Sequence, residues 1–404
     1  MRVSQLFRTA ILSALGFTFL ASQIAAAEVA YVQVTFDRQG ILSSTTRGHA
    51  DLAAHRAVTV DDPVRIASVS KLVVAIAVMR HVEQGRLKLD ADVSSTLGYP
   101  LRNPHHPTVP ITLRLLLSHR SSITDDAGYV IPYDAELRDK LSEPAAWDAA
   151  HAPGDYFRYA NLNLPIVAAV MEQATGERFD RLMRRLVLEP LRLDACFNWQ
   201  GCSDAARSRA VVLYEDGKPV VDDLRGRAPD CPVVRGRDGG CELERWQRGR
   251  NGAMFSPQGG LRISARDLAT IGRMLLGDGR VDGIRLLSRS SIRTLKTPLW
   301  HYDGRNGITA EEDAPSERGM FCQYGLAMQF LTTHARGCAD DPVGDGHERY
   351  GHAGSAYGLL SGLWIDATTA TGVAFFVTDA EPTPGRRSAF RAIEERAIAH
   401  EHSP

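Results

Sequence analysis

Eight apolar residues, Leu72–Met79, follow directly on the tetrapeptide Ser68–Lys71. An unbroken run of this kind predicts a helix, and Gly85 is its expected C-terminal stop. Because such a helix has no polar face, protein must surround it on every side. A chain of 404 residues is long enough to supply that core, either as one large domain or as two intertwined ones.

Strand patterns lie at both ends of the chain. Apolar and polar residues alternate over Ala30–Phe36, which predicts a strand with one buried face. Residues 359–365 and 372–378 predict two strands joined by a turn. Residues 386–399 predict a closing helix with one apolar face.

Between these ends the pattern changes twice. Residues 86–200 follow mostly helical patterns, whereas residues 200–250 are dominated by Gly, Asp, Arg and Pro and predict a long loop. Ser264 then has the position of an N-cap residue, and Asp267 falls in the first turn of the helix that follows.

The order of strands, helices and strands predicts an α/β fold. An antiparallel sheet built from both chain ends is expected to be flanked by helices and to carry an inserted, mostly helical subdomain. We expect the α/β part at about residues 28–85 and 255–404, and the helical and loop insertion at about residues 86–254.

The first 27 residues have the composition of a cleavable signal peptide. Arg2 and Arg8 precede a short apolar segment at residues 10–20, and the small residues at 25–27 fit a cleavage site. The alternative is an uncleaved anchor helix, but the apolar segment falls short of the ~20 residues that a spanning helix needs. We therefore expect a periplasmic or secreted protein with no stable membrane span after cleavage.

The cysteines agree with export, because all of them lie after this segment. They fall into three close pairs along the chain, which favours local disulfides, although the sequence alone leaves their connectivity open. Free cysteines in a reducing compartment are the alternative, and a zinc site is disfavoured because no Cys-x-x-Cys spacing occurs. The six residues are Cys196, Cys202, Cys231, Cys241, Cys322 and Cys338.

The formal net charge is −1, so the composition indicates no nucleic-acid or membrane-surface partner. Arginine carries nearly all of the positive charge, and lysine occurs only at positions 71, 88, 140, 218 and 296. The presence of lysine at position 71 is therefore informative, because arginine keeps its proton and cannot act as a base.

Ser68 and Lys71 are three positions apart, which places both side chains on one face of the predicted helix. A serine hydroxyl becomes an effective nucleophile when a neighbouring base removes its proton. A neutral lysine can be that base, and burial among apolar residues lowers the pKa of an amine. The alternative is an ordinary helix start whose lysine extends into solvent, and these two residues alone do not decide between the interpretations.

Two further segments carry residues suited to the same chemistry. Tyr159 and Asn161 lie in a turn-rich segment before a helix; a phenol near a cation can relay protons, and an amide can bind a substrate amide. His352, Gly354 and Ser355 precede the C-terminal strands, and glycines there would let a ligand approach the backbone. Each segment alone could equally be a capped loop or a glycine-rich turn.

In this order and rough spacing, Ser68–Lys71, Tyr159–Asn161 and His352–Gly354 resemble the serine β-lactamase and penicillin-binding-protein superfamily. The chain is most similar to the class C-like branch, which includes D,D-carboxypeptidases, D-aminopeptidases and β-lactamase-fold esterases. Residues 110–119 resemble a further segment of that family. The resemblance covers roughly residues 45–380 and implies a β-lactamase/transpeptidase-like fold.

The resemblance also implies catalytic roles. Ser68 would attack a carbonyl, and Lys71 would receive its proton, alone or with Tyr159. Tyr159 would then pass a proton to the leaving group, and Asn161 would hold the amide on the acyl side of the substrate.

The substrate-binding roles fall mainly on the third segment. The backbone N–H groups of Ser68 and Ser355 would bind the oxyanion, while His352 and Ser355 would contact a substrate carboxylate or the tyrosine hydroxyl. Gly354 belongs to the same substrate-binding segment. His352 stands where β-lactamases usually have lysine, and histidine is a weaker, titratable anchor for a carboxylate.

The expected function is that of an exported serine hydrolase acting through an acyl-enzyme on amide or ester bonds. D-amino-acid peptides are the favoured substrates, and cell-wall peptides are among the candidates. The alternatives are a β-lactamase-fold carboxylesterase, a class C-like β-lactamase, or a non-catalytic cell-wall binding or sensor protein. No cofactor or metal is expected, because His347 and His352 are five positions apart and do not share a helical face.

Overall fold

The computed structural model describes residues 30–310 and 319–399. The predicted signal peptide, residues 1–27, lies outside these ranges, so its cleavage stays a prediction. Within the described ranges, none of the helices combines the length and the apolar character that crossing a bilayer requires.

The strands of the described ranges are mostly short, and the longest lie near the C-terminus. They are β1 (Tyr31–Phe36), β2 (Ile41–Arg47), β3 (His49–Asp51), β4 (Arg56–Ala57), β5 (Val64–Arg65), β6 (Cys196–Phe197), β7 (Leu213–Glu215), β8 (Lys218–Val221), β9 (Leu261–Ile263), β10 (Arg280–Val281), β11 (Ile284–Arg285), β12 (Trp300–His301), β13 (Gln323–Tyr324), β14 (Gln329–Leu331), β15 (Arg349–Ala356), β16 (Leu359–Asp366) and β17 (Thr371–Val377).

The helices include three long ones and several of one or two turns. They are α1 (Val69–Glu83), α2 (Ser94–Leu97), α3 (Leu113–Leu117), α4 (Leu137–Leu141), α5 (Asn163–Thr175), α6 (Phe179–Met183), α7 (Asp204–Ser208), α8 (Ala265–Leu276), α9 (Arg289–Leu295) and α10 (Ala392–Ile398). Short 3₁₀ turns occur at Pro144–Ala146 and Leu243–Arg245, and a π-helical turn at Arg184–Leu188.

An antiparallel sheet of eight described strands organises the molecule, in the order β12-β13-β14-β15-β16-β17-β1-β2. Tyr31 of β1 pairs with Val377 of β17, so strands from the two ends of the chain are neighbours. Helix α8 packs against β1, β16 and β17, and α10 packs against β16 and β17. The predicted α/β fold, with a sheet built from both chain ends and flanked by helices, is confirmed.

Strand β1 is buried on both faces, so the prediction of one buried face was wrong. Its polar residues are buried because each has a hydrogen-bond partner. Gln33 Nε2 donates to the Ala397 carbonyl oxygen of α10 at 2.7 Å, and Thr35 Oγ1 lies 2.7 Å from Ser43 Oγ of β2. The polar face of β1, which the alternating pattern assigns to water, is thus covered by protein, with Gln33 facing helix α10.

Helix α1 is surrounded by protein, as its sequence predicts. Its residues from Val69 to Met79 are all buried, and it packs against β15, β16, α6 and α9. The helix ends at Glu83, and Gly85 follows with φ of 68°, the left-handed conformation that terminates many helices. Helix α8 is capped by Ser264, whose Oγ accepts the Asp267 N–H at 3.1 Å, as predicted.

The closing helix is shorter than predicted, because α10 begins at Ala392 and not near residue 386. Glu395 holds the preceding segment in a non-helical conformation. Its carboxylate accepts the backbone N–H groups of residues 386, 387 and 388 at 3.0, 2.9 and 2.7 Å. These bonds tie residues 386–388 to a side chain of α10 itself and hold them outside the helix.

The three disulfides join neighbouring cysteines, which confirms the expected local bridges: Cys196–Cys202, Cys231–Cys241 and Cys322–Cys338. The segment at residues 200–250 contains the small hairpin β7–β8 and helix α7 and is otherwise mostly irregular. One hydrophobic core extends from the sheet through α1 into α5 and α6. The division near residues 86 and 254 therefore stays a prediction.

Candidate active site

Ser68 lies where strand β5 ends and helix α1 begins. Ala67, immediately before it, has φ of 43°, a left-handed conformation that carries strain in a residue with a side chain. Ser361 Oγ on β16 donates to the Ile66 carbonyl oxygen at 2.9 Å and holds this turn against the sheet. The Ser68 side chain consequently faces a cleft of about 1420 Å³.

Lys71 is fully buried one turn further along α1. Its Nζ lies 2.8 Å from Ser68 Oγ, 2.8 Å from Asn161 Oδ1 and 3.0 Å from the Gln258 carbonyl oxygen. A neutral amine has two N–H donors and one lone pair. Because the Asn161 and Gln258 oxygens can accept both donors, the lone pair is left for the Ser68 hydroxyl. This arrangement suits transfer of a proton from Ser68 to Lys71.

Asp125 orients Asn161, and the sequence did not indicate it. Its carboxylate accepts the Asn161 backbone N–H at 2.7 Å, the Asn161 Nδ2 at 3.0 Å and the Leu162 backbone N–H at 2.9 Å. With Nδ2 bound to Asp125, Oδ1 is directed at Lys71. The predicted contact of Asn161 with a substrate amide stays a prediction.

Tyr159 is held between two other rings. The His119 ring stacks on one side at 4.3 Å between ring centres, and the Phe321 ring stacks at 4.8 Å. Lys71 Nζ lies 4.8 Å from the Tyr159 ring centre. Sequence reasoning missed His119 and Phe321, because they reach Tyr159 only through the tertiary fold. Their stacking restricts the tyrosine to the side of the cleft that contains the Ser–Lys pair.

His119 is a buried, neutral neighbour of the site. Its Nδ1 accepts the Ala160 backbone N–H at 3.1 Å and lies 3.2 Å from Asn163 Nδ2, so the ring proton is on Nε2. Burial holds the pKa of His119 well below its usual value, and Lys71 lowers it further whenever that amine is protonated. The ring therefore packs on Tyr159 without placing a positive charge beside Lys71.

His352 is buried and bonded within the protein through both ring nitrogens. Nδ1 donates to the Ala353 carbonyl oxygen at 2.5 Å, so Nε2 accepts the hydroxyl of buried Tyr324 at 2.7 Å. Burial, followed by the charge that Lys71 carries when it is protonated, lowers the pKa of His352 to about 3. A neutral ring with both nitrogens occupied offers no charge to a substrate carboxylate, so the predicted direct contact stays a prediction that this conformation does not favour.

Strand β15 passes close to Ser68, and Gly354 makes this possible. A Cβ atom at Gly354 would lie 2.5 Å from the Ile66 carbonyl oxygen and 3.2 Å from the Ser68 backbone nitrogen. Ser355, the next residue, is exposed to the cleft. The structure thus brings Ser355 and Ser68 to the same cleft, and the oxyanion role of their N–H groups stays a prediction.

The loop at residues 200–250 contributes part of the cleft wall. Residues 222–224 and 227–234 line the cavity that contains Ser68, Tyr159 and Asn161. Part of this loop therefore borders the candidate site.

Among the described residues, one cluster brings together possible metal ligands. Asp345, His347 and Asp366 have ligand atoms within 4.8 Å of one another. Arg349 Nη2 donates to Asp345 at 2.7 Å and to Asp366 at 3.0 Å, and it already supplies the counter-charge. The cluster does not line the cleft around Ser68.

The eight-stranded antiparallel sheet, with helices on both faces and a Ser–Lys pair at the head of the buried helix, defines the β-lactamase/transpeptidase class of folds. A model of the Beta-lactamase family matches residues 21–398. The chain therefore belongs to the beta-lactamase family of serine hydrolases.

A curated relative extends the comparison to function. The chain is 34% identical to Esterase EstB of Burkholderia gladioli over 196 residues, which cover 44% of this chain and 48% of the esterase. The match thus spans about half the length of this relative.

Solved structures share the fold over nearly the whole chain. EstCE1, described as a hydrolase with promiscuous acyltransferase activity, superposes with a TM-score of 0.63 at 20% identity and covers 92% of this chain and 94% of its own. The D-stereospecific amidohydrolase from Streptomyces sp. superposes with a TM-score of 0.57 at 20% identity. The superposition covers 88% of this chain and 91% of the amidohydrolase. At these identities the likeness shows the fold.

Proposed function

We propose that the protein is an exported serine hydrolase that forms an acyl-enzyme on amide or ester bonds. The observation that carries the proposal is the position of Lys71 Nζ, which is fully buried and 2.8 Å from Ser68 Oγ. The two carbonyl oxygens that accept its N–H groups direct the remaining lone pair at the hydroxyl. This is the arrangement that an activated serine nucleophile needs.

The reaction begins when Ser68 Oγ attacks the substrate carbonyl carbon and its proton passes to Lys71, alone or with Tyr159. The N–H groups of Ser68 and Ser355 stabilise the resulting oxyanion. The bond to the leaving group then breaks as Tyr159 transfers a proton to that group. Water attacks the acyl-enzyme, the same groups remove its proton, and the acid product leaves with Ser68 restored.

D-amino-acid peptides and amides are the favoured substrates. The neutral state of His352 argues against a typical β-lactamase, whose lysine would bring a positive charge to the same segment. The shared fold with a D-stereospecific amidohydrolase is consistent with this choice of substrates. D,D-carboxypeptidase activity on cell-wall peptides is the specific form that we favour.

A carboxylesterase is the second candidate. It is favoured by the 34% identity to an esterase, a stronger sequence relation than those to the two solved structures. A class C-like β-lactamase is the third candidate, and the hydrolysis panel described below distinguishes it from the other two.

Export is supported by the three disulfides, which persist in oxidising compartments. N-terminal sequencing of the protein recovered from the periplasm or medium tests it. A first residue close to position 28 is expected, and an intact N-terminus retained in the membrane would contradict it.

The test of function is a hydrolysis panel with Ser68→Ala as the control. The panel contains a D-Ala-D-Ala peptide, D-amino-acid amides, short 4-nitrophenyl esters and a chromogenic cephalosporin. Turnover that Ser68→Ala abolishes is expected, with the D-amino-acid compounds preferred. Wild-type rates in the variant would exclude the mechanism, and turnover of the cephalosporin alone would overturn the substrate preference.

A non-catalytic cell-wall binding or sensor protein is the alternative from another class. A fluorescent phosphonate should label the native protein at Ser68 and leave Ser68→Ala unlabelled. Absence of label on a folded native protein would favour the binding role.

A further inference from the structure

Arg65 lines the same cavity as Ser68, three residues earlier on strand β5. Within residues 30–310 and 319–399, its guanidinium forms neither a hydrogen bond nor an ion pair, and its Nε is buried without a partner. Two other arginines of the cavity are paired, Arg158 with Asp126 and Arg262 with Asp222. A partly buried guanidinium without an acceptor has lost hydration that the protein does not replace.

The neighbouring acid does not satisfy Arg65, because it is already bound. The Asp222 carboxylate accepts Arg262 Nη2 at 2.9 Å, Arg262 Nε at 3.2 Å and Trp199 Nε1 at 2.7 Å. Burial, then repulsion from Arg262, lowers the pKa of Arg65 to about 10, so the guanidinium keeps its charge at neutral pH. Within the described residues the Arg65 guanidinium therefore has no ion-pair partner of its own, although the charge of Asp222 acts on it from nearby.

Tyr357 packs against the face of the guanidinium. Tyr357 lies on the turn two residues beyond Ser355, and its ring centre is 5.1 Å from the Arg65 Cζ atom. Contact with an aromatic face occupies the plane of a guanidinium but not the N–H groups at its edge. Nε is buried, whereas the two Nη groups are not among the buried atoms and match the two oxygens of a carboxylate.

We propose that Arg65 binds a carboxylate at the far end of the acyl portion of the substrate. The inference rests on the proposed serine hydrolase function and specifies its substrate class: esters or amides whose acyl group ends in a carboxylate. The acyl side is assigned because Arg65 shares its cavity with Asn161, the predicted partner of the amide on the acyl side. Arg65 does not line the adjoining pocket of about 30 Å³, which shares Ser68 and Tyr159 with that cavity and extends to His352.

The test compares two esters with one leaving group, mono-4-nitrophenyl adipate and its methyl ester. They differ in the charge at the end of the acyl chain and by one methyl group. The measured quantity is the ratio of their kcat/KM values in the native enzyme and in Arg65→Gln and Arg65→Lys. Arg138→Gln is the matched control, because Arg138 also lies over a tyrosine ring, 5.5 Å from the centre of Tyr99, but does not line the cavity.

The native enzyme should prefer the acidic ester by roughly tenfold to a hundredfold, the range for a hydrogen-bonded charge pair. Arg65→Gln should remove the preference while retaining turnover of the methyl ester, Arg65→Lys should keep part of it, and Arg138→Gln should keep all of it. A merely structural role for Arg65 would lower both rates together.

Two results would overturn this inference and leave the proposed function standing. One is Ser68-dependent hydrolysis of both esters at equal rates, and the other is a preference for the acidic ester that Arg65→Gln retains. If Arg65→Gln retains the preference, Arg391→Gln tests whether Arg391, another arginine of the cavity, binds the carboxylate instead. Absence of Ser68-dependent turnover of either ester would count against the proposed function as well.

Discussion

At the scale of single residues, the site depends on the set of hydrogen bonds around Lys71 and Asn161. Lys71 Nζ faces Ser68, Asn161 and Gln258, and Asn161 is itself held by Asp125. Replacing Lys71 by another basic residue should therefore reduce activity as much as replacing it by an uncharged one, because the hydrogen-bonding atoms differ.

Lys71→Arg tests this directly. The guanidinium stays protonated and cannot receive the proton of Ser68, so kcat/KM on a substrate identified by the hydrolysis panel should fall by about 10²–10⁴-fold. Lys296→Arg is the matched control, because Lys296 Nζ also lies 4.8 Å from a tyrosine ring centre, that of Tyr350, away from the cleft. Retained activity in Lys71→Arg would show that Lys71 is not the base.

At the scale of elements, strand β15 and helix α1 have to approach within backbone contact. Gly354→Ala should separate them, because the added Cβ would lie 2.5 Å from the Ile66 carbonyl oxygen. We expect kcat to fall by about 10²-fold through misplacement of the groups around Ser68. Gly40→Ala is the control, since nothing lies within 4 Å of a Cβ atom there. Unchanged kcat in Gly354→Ala would mean that β15 does not position the reacting groups.

Helix α5 is linked to the end of the 200–250 loop by Glu172. This buried carboxylate accepts the Phe179 N–H at 3.0 Å, the Trp246 Nε1–H at 3.1 Å and the Gly249 N–H at 3.1 Å. Burial nevertheless raises the pKa of Glu172 to about 7. Because the folded state then binds this proton more tightly than the unfolded state, its contribution to stability is greatest at low pH and is lost as pH rises to about 7.

Glu172→Gln should remove that dependence. We compare the free energies of unfolding of the native protein and the variant at each pH. The advantage of the native protein should fall by an amount on the order of 3 kcal/mol between about pH 4.5 and 7, and it should not change further above about pH 7. Denaturant unfolding at a series of pH values measures the difference, with Glu177→Gln, a partly exposed position two residues beyond the end of α5, as the control. A difference that does not vary with pH would contradict the assignment.

At the scale of the whole molecule, a disulfide connects the outer sheet to the site. Cys322 follows Phe321, whose ring stacks on Tyr159, and its bridge to Cys338 closes a loop of 16 residues. Replacing both cysteines by serine should lower the free energy of unfolding by about 3 kcal/mol and also reduce kcat. The matched variant at Cys196 and Cys202, neither of which lines the cleft, should lower stability with a smaller effect on kcat, and equal effects on kcat would contradict the link through Phe321.

The sequence predicted what periodicity and local chemistry control. The spacing of Ser68 and Lys71, the apolar helix, the N-cap at Ser264 and the strands near the C-terminus all appear in the structure. It missed Asp125 and Phe321 because no local pattern distinguishes a residue that reaches the site only through the tertiary fold. It mistook β1 for a half-exposed strand for the same reason, since the partner of Gln33 lies 364 residues away.

The sheet that joins the chain ends has a consequence for synthesis. The Ala30 N–H donates to Thr378 Oγ1 across 348 residues, and Ser361 holds the turn before Ser68 across 295. A ribosome that has finished α1 must therefore translate most of the protein before β15 and β16 can pack beside the serine. A truncated or half-translated chain carries Ser68 and Lys71 without the strand next to them, so premature termination should yield products with no hydrolytic activity.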